Sequence, residues 1–452
     1  MKPMTIKEIA AALGKQLDDE RVVNEISTDS RNVPENSVFV ALKGEKFNGN
    51  KFAADALRNG ALCVVVDEDI DCADGTVIKV ESTRQALLDI AGYYRSKHNV
   101  KIAAVTGSVG KTTTKEFIWA VLNSHYNTLK TEGNQNNEVG LPKTLLRIDE
   151  TVEAAVLEMG MCAPGEIHEL AVPAAPDVGV VTSIGVSHME RLGSRENILK
   201  AKLEIIDGLR EGAPLVLCAD NDLLQNVKSD KVNIIFYGVK NNDAHVRAVN
   251  CRLVGDSTEF EIAYENEKYP VKIPCIGEHN VLNALAAFTV GVCMGITPDK
   301  AAAALADYQT SGMRQKIVKH NNYTVVEDCY NASPDSMKAA VSAFSAMSCK
   351  GRRIMVLADM LELGANEVEM HYEIGRLAAQ NPIHILLAVG KLGREYVNGA
   401  MAAGLNEAFH FENKDEAFNF LKANVQAEDI LWFKASRGMK LEDIITRLYE
   451  EC

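Results

Sequence analysis

The run Thr106-Gly-Ser-Val-Gly-Lys-Thr-Thr113 sets two glycines, a lysine and a cluster of hydroxyl side chains at a spacing suited to holding phosphate. It follows a short apolar strand, Ile102–Val105, and leads into helical spacing at Phe117, Ile118, Val121 and Leu122. Gly107 and Gly110 let the loop through Ser108 and Val109 turn backbone N–H groups toward the phosphates of a nucleotide. Lys111 adds a cation, Thr112 offers a hydroxyl to Mg²⁺ with Thr113 beside it, and the helix N-terminus favours the anion. The general phosphate-loop pattern wants a glycine at position 105, where Val105 stands, so the match is to the shorter Thr-Gly-x-x-Gly-Lys-Thr form. A glycine turn before a solvent-facing lysine is the bland alternative, and the strand-loop-helix setting argues against it.

Three further side chains could complete a metal centre. The strand Ala154-Ala-Val-Leu-Glu158 ends on a carboxylate, at the strand edge where open α/β sheets bind ligands. His188 follows another apolar strand in Val181-Thr-Ser-Ile-Gly-Val-Ser-His188, where a neutral imidazole could join a metal shell. Lys202 lies in the apolar helical run Ala201-Lys-Leu-Glu-Ile-Ile206, where an ammonium needs a partner or conversion to an acidic group. A strand-end acid or a loop histidine is commonly only solvated surface. Position downstream of a phosphate loop is what raises Glu158 and His188 above that.

Positioning these residues requires alternating strands and helices. A first α/β unit is predicted over 1–82, with strands at Ser37–Leu42 and Ala61–Val66 around a helical stretch from Phe52 to Gly60. A helix-prone segment from Glu81 to Lys97 follows, with apolar residues at helical spacing. Residues 83–312 read as a doubly wound parallel sheet, with buried strands at Ile102–Val105, Ala154–Leu157, Val178–Val181 and Leu215–Leu217. A strand-rich interruption near Val246–Ile273 precedes a helix opening near His279. Residues 313–452 read as a smaller Rossmann-like unit, with strands at Tyr323–Val326, Arg353–Leu357, Ile383–Val389 and Ile430–Phe433.

At 452 residues the chain exceeds one hydrophobic core, which is consistent with three domains. A net charge of -14 opposes non-specific attraction to nucleic acid or an anionic bilayer, so a phosphate ligand must be held locally. No apolar run approaches the ~20 residues of a membrane span, and residues 1–10 lack the apolar core of a signal peptide. A cytoplasmic protein with no membrane or nucleic-acid partner is expected, with monomer as the default. The ten cysteines are scattered singly with no C-x-x-C pair, as for free thiols in a reducing compartment.

Taken in order, Thr106–Thr113, Leu157-Glu-Met159, Ser187-His-Met-Glu-Arg191, Ala201-Lys-Leu203, Gly277-Glu-His-Asn-Val-Leu-Asn-Ala284 and Gly312-Met-Arg314 resemble the Mur ligase family over nearly the whole chain. The resemblance implies an ATP-dependent ligase with two Mg²⁺ and a carbamylated Lys202. It places Lys111 and Thr112 on the ATP phosphates and first Mg²⁺, with Glu158, His188 and carbamylated Lys202 completing the metal shell. Asn280 and Asn283, three apart on one helix face, would contact the adenine side. Arg314 would reach the phosphates, and Asp328 would hold the ribose.

The two ends suggest which reaction of the family applies. Ile26-Ser-Thr-Asp-Ser-Arg-Asn32 and Val38–Asn50 resemble the UDP-binding module of the ligases that add the third residue or D-alanyl-D-alanine. Asp29, Ser30, Arg31 and Lys43 are the candidates there for uridine and pyrophosphate. Asp328–Met337, Val356–Gly364 with His371, and Phe433–Met439 resemble the ligase that joins D-alanyl-D-alanine to UDP-N-acetylmuramoyl-tripeptide, and the Asp-Asn-Pro-Arg signature of the diaminopimelate-adding enzyme is absent. Ala435 and Gly438 depart from the usual residues of that last motif. A third-residue-adding ligase, a folylpolyglutamate-type ligase and a nucleotide-binding protein without catalysis are the alternatives. Retention of Glu158, His188 and Lys202 together speaks against the last.

Overall fold

The computed structural model describes residues 1–44, 46–71 and 75–451, and the strands among them form four sheets. Near the N-terminus β1 (Met4–Thr5) pairs antiparallel with β2 (Val22–Val23). A parallel sheet then runs in sequence order through β3 (Glu25–Ser27), β4 (Ser37–Val40), β5 (Ala61–Val66) and β6 (Thr76–Lys79). Val38, Val40, Cys63 and Val65 face the large core, while Phe39, Ala41, Val64 and Val66 face a smaller one with Ala53 and Ala56. Both faces are covered, so these strands read as unbroken apolar runs rather than as alternation.

The helix Thr83–Ser96, capped by the Ser82 hydroxyl on the Gln85 amide, carries the large core from this sheet into the next. It lies close on the helix Glu166–Ala174, where a Cβ on Gly92 would come 2.9 Å from the Pro173 Cβ.

The central strands are β7 (Lys101–Thr106), β8 (Thr128–Lys130), β9 (Ala154–Glu158), β10 (Val178–Val181), β11 (Pro214–Cys218), β12 (Asn233–Gly238), β13 (Val246–Val254), β14 (Ser257–Tyr264) and β15 (Glu267–Ile273). They order as β8-β9-β7-β10-β11-β12-β13-β14-β15. The stretch expected as an interruption is therefore the far edge of the same sheet, and the sheet is mixed rather than purely parallel. β13 joins β12 in parallel, whereas β14 and β15 run antiparallel. The reason is loop length: Gly255-Asp256 and Glu265-Asn266 are two-residue hairpin loops, too short for a parallel crossover. Gly255, Glu265 and Asn266 adopt the left-handed conformation that such loops demand. The connection out of β7 leads to one side of it, by β9 and β8, and the chain returns to the other side at β10. The crevice beyond β7 is thus a topological switch point.

The C-terminal sheet orders as β16 (Lys316–His320), β17 (Tyr323–Asp328), β21 (Ile430–Lys434), β18 (Arg353–Ala358), β19 (Ile385–Val389) and β20 (Ala408–Phe411), parallel except for β16. Met355 and Leu357 enter one core and Ile354, Val356 and Ala358 the other, so this sheet is also covered on both faces. β19 begins at Ile385 rather than Ile383, because the Asn381 and Ile383 amides are taken by the turn that ends the preceding helix. The helices Glu367–Ala379 and Gly393–Ala402 meet backbone to backbone. A Cβ on Gly375 would fall 1.9 Å from the Tyr396 carbonyl oxygen, and one on Gly399 would fall 2.0 Å from that of Tyr372.

Candidate active site

A cavity of about 570 Å³ opens at the C-terminal ends of β7, β9 and β10 and is closed from the other side by β17, β21 and the helix Pro334–Ala346. Ser108, Val109, Gly110, Lys111, Thr112, Thr113, Glu158, Asn280, Asn283, Arg314 and Asp328 all line it.

The phosphate loop packs backbone-close on the end of β10: a Cβ on Gly107 would lie 1.9 Å from Thr182 Oγ1. The Ser108 amide donates to the Ser183 carbonyl (2.9 Å) and the Val109 amide to Ser183 Oγ (3.0 Å). These two N–H groups brace the loop, and the free amides of a helix's first turn fall to the start of the helix Lys111–Asn123. Lys111 Nζ folds back to donate to the Gly107 carbonyl at 2.7 Å. Burial lowers its pKa, and the Glu158 carboxylate acts in the opposite sense.

Glu158 is 2% exposed. Its Oε1 accepts from Asn136 Nδ2 at 2.9 Å, while Oε2 is buried without a hydrogen-bond partner, 3.9 Å from Lys115 Nζ. An unpaired buried acceptor costs about 1–3 kcal/mol and more when charged, which a cation at this point would offset. His188, in the left-handed region at φ 62°, heads the short helix Met189–Leu192 and sets Nδ1 3.6 Å from Glu362 Oε2. Burial, followed by repulsion from Lys202 and Lys111, lowers its pKa and leaves the neutral imidazole a metal ligand requires. Lys202 is 1% exposed, and desolvation followed by repulsion from Lys111 holds its pKa well below the usual lysine range. Lys111, Glu158, His188 and Lys202 thus share one electrostatic neighbourhood. Gly107, His188 and Lys202 are not among the residues that line the cavity.

On the far side Asn280 Nδ2 donates to the Ile276 carbonyl and to Gln315 Oε1, both at 2.8 Å, and its Oδ1 accepts from Asn283 Nδ2 at 3.3 Å. Asn283 Oδ1 accepts from Thr114 Oγ1 at 3.0 Å, tying this helix to the one that opens the phosphate loop. Arg314 lies 4.1 Å over the Tyr330 ring, a cation–π contact that aims its guanidinium along the cavity wall. Asp328 Oδ2 pairs with the buried Lys434 at 2.8 Å.

Gln315 Nε2 also meets His279 Nε2 at 2.8 Å, where the ring nitrogen accepts. Desolvation brings the His279 pKa from 6.5 down to about 4. The fold therefore holds the neutral ring, whose contribution to stability is complete above pH 6.5 and is lost as pH falls toward 4. The urea midpoint is expected to drop over that interval, and His279→Gln to flatten the drop. An unchanged slope in the variant would assign it to other groups.

The C-terminal unit stands closed on the central one. Asp335 Oδ2 accepts from the Val186 amide at 3.4 Å and lies 2.0 Å from where a Gly185 Cβ would be. Asp29, Ser30, Arg31 and Lys43 do not reach the cavity: Asp29 pairs with Arg31 at 2.8 Å and Lys43 with Glu68 at 2.7 Å on the N-terminal unit. Sequence reasoning passed over Asn136, Lys115, Gln315 and Lys434. The polar run Asn134–Asn137 could have flagged the first, and a lysine closing the apolar strand Ile430–Lys434 the last.

Three family descriptions match in order: Mur ligase family, catalytic domain over residues 22–95; Mur ligase middle domain over 105–291; and Mur ligase, glutamate ligase domain over 313–437. A phosphate loop at the switch point of one α/β sheet, closed by a second, is the arrangement these domains share here, and the chain belongs to the Mur ligase family. Among its relatives, a Bacillus subtilis (strain 168) protein named UDP-N-acetylmuramoyl-tripeptide--D-alanyl-D-alanine ligase is 40% identical, covering 99% of this chain and 98% of its own. MurF from Acinetobacter baumannii superposes with a TM-score of 0.91 at 28% identity over 100% of both chains. The MurF ligase from Thermotoga maritima in complex with ADP superposes at 0.86 with 29% identity, covering 95% of this chain and 98% of that one.

Proposed function

We propose that this chain joins D-alanyl-D-alanine to UDP-N-acetylmuramoyl-tripeptide at the expense of ATP. The carrying observation is the cavity between two closed α/β units, which gathers Lys111, Thr112, Glu158 and Arg314 around a loop built for phosphate. The full-length likeness to relatives named for that reaction supports the choice of substrates.

Joining a carboxylate to an amine in water requires activating the carboxylate. The tripeptide carboxylate attacks the γ-phosphorus of ATP, and the bond to ADP breaks. The dipeptide amine then attacks the acyl carbon and loses a proton, and phosphate leaves with one oxygen of the original carboxylate. Lys111 and the first amides of its helix hold the phosphates in line, and Arg314 approaches from the domain joint. Asn280 and Asn283 shape the adenine side, while Asp328, fixed by Lys434, is placed for the ribose. Asp29, Ser30, Arg31 and Lys43 are assigned to the UDP portion.

The orphaned Glu158 Oε2 fits a cation. Thr112, Glu158, His188 and Lys202 would hold two Mg²⁺, which when bound neutralise charge on the γ-phosphate and orient the carboxylate. Glu158 is the one carboxylate in that set, so a second anionic ligand would help balance the charge of two divalent cations. Lys202 can supply it as a carbamate, because its depressed pKa leaves the neutral amine that reacts with CO₂. Among the described residues no helix is long and apolar enough to cross a membrane, in keeping with soluble substrates.

Isotope transfer tests the chemistry. Tripeptide labelled with ¹⁸O in its terminal carboxylate should give phosphate carrying one ¹⁸O and a pentapeptide lacking one. Label retained entirely in the pentapeptide would rule out the acyl phosphate.

A further inference from the structure

The loop that follows β18 is pinned on both sides yet presents a largely exposed carboxylate whose one ion-pair contact is the His188 ring. The Met360 amide donates to Nε2 of His371 at 2.9 Å, and Nδ1 of that ring donates to the Glu367 carbonyl at 2.6 Å. His371 is 0% exposed and lies against the Tyr396 ring. The Leu361 amide donates to Ser436 Oγ at 3.0 Å, and the Asp359 carboxylate accepts from the Leu392 amide at 3.1 Å. Gly364 packs on Glu190 of the central unit. Between these anchors Glu362 takes a left-handed φ of 64°, a strained choice for a side chain of its kind. Its carboxylate is 72% exposed and stands 3.6 Å from His188. No hydrogen bond from a described residue reaches it.

Strain and rigid anchoring for the sake of one exposed acid need a reason. The acceptor reaches the reaction centre as an ammonium, into a site lined by Lys111 and Arg314. Coulomb repulsion there disfavours a second cation unless an anion meets it. Glu158 lines the cavity but is almost fully buried, its Oε1 held by Asn136 and its Oε2 assigned above to a cation. Of the carboxylates the C-terminal unit brings toward the site, Asp328 is taken by Lys434 and Asp335 accepts from the Val186 amide, whereas Glu362 stands at the cavity's margin beside His188.

We propose that Glu362 docks the ammonium of the acceptor dipeptide, and that His371 and Ser436 are positioning residues that hold its loop beside His188. This rests on the reading of the chain as an amine-acceptor ligase and adds the group that recognises the amine.

Steady-state kinetics on the full chain test it. Glu362→Gln should raise KM for D-alanyl-D-alanine about tenfold or more, the scale of one charge-assisted contact. KM for ATP and for the UDP-tripeptide should stay within about twofold, and Glu362→Asp should fall between variant and wild type. Calorimetric binding of the dipeptide to enzyme loaded with UDP-tripeptide and a non-hydrolysable ATP analogue should weaken in parallel. An unchanged dipeptide KM would overturn the proposal. So would a rise confined to Mg²⁺ or ATP, which would place Glu362 on the metal side. Were the wild type to use a different amine, the same comparison with that amine would still test Glu362, and only the identity of the acceptor would fall.

Discussion

Lys111→Ala is expected to lower kcat by about 10³-fold while leaving the chain folded. In phosphoryl transfer the protein contributes positioning and charge neutralisation rather than covalent chemistry, so the cation nearest the transferred group carries a large share. Lys111 is set for that role by its own loop: its ammonium rests on the Gly107 carbonyl within the glycine loop. Stability should hold or rise, because burial already disfavours the charged form of this lysine. Phosphate release under saturating substrates, paired with a thermal midpoint, reads both. A variant within tenfold of wild type would remove Lys111 from the reaction.

The second large effect is expected at Lys202. Lys202→Ala should reduce turnover by about 10²-fold or more, since on the proposed reading it deletes the carbamate that would complete the metal shell with Glu158 and His188. Millimolar acetate or formate should restore part of the activity by standing in for the carbamate. Wild-type enzyme stripped of CO₂ should lose activity and regain it with bicarbonate. The thermal midpoint of the variant should change little, because the side chain removed is one whose charged form burial and Lys111 already disfavour. Full activity in Lys202→Ala would show that the lysine is only part of the packing.

What the sequence disclosed about this site follows from how local each signal is. The phosphate loop was legible because glycines, lysine and hydroxyls must be contiguous to wrap phosphate, and the apolar strand before them announces itself. Glu158 was legible as an acid terminating a buried strand. The bracing of Ser108 and Val109 by Ser183 was not, since it joins residues about 75 apart along the chain through backbone and hydroxyl groups that leave no pattern. The pairing of Asp328 with Lys434 spans 106 residues and is invisible for the same reason.

The fold shows the same division. Strands covered on both faces, such as Ala61–Val66 and Arg353–Ala358, stand out as apolar runs. The stretch from Val246 to Ile273 gave strands but no place for them, because its charged, half-exposed alternation does not say which edge it joins. Two short hairpin loops settle that question in the structure. Gln315 is a further case: its left-handed backbone at the domain joint puts its amide on Asn280 and His279, which no spacing rule foretells.

The most direct test of the central claim is phosphate release from ATP by the full chain with Mg²⁺, omitting each of the other substrates in turn, with the product identified by mass. The account predicts release only when UDP-N-acetylmuramoyl-tripeptide and D-alanyl-D-alanine are both present, and a product heavier than the tripeptide by one dipeptide less one water. Release driven by a single free amino acid in place of the dipeptide, or none with any acceptor, would contradict it.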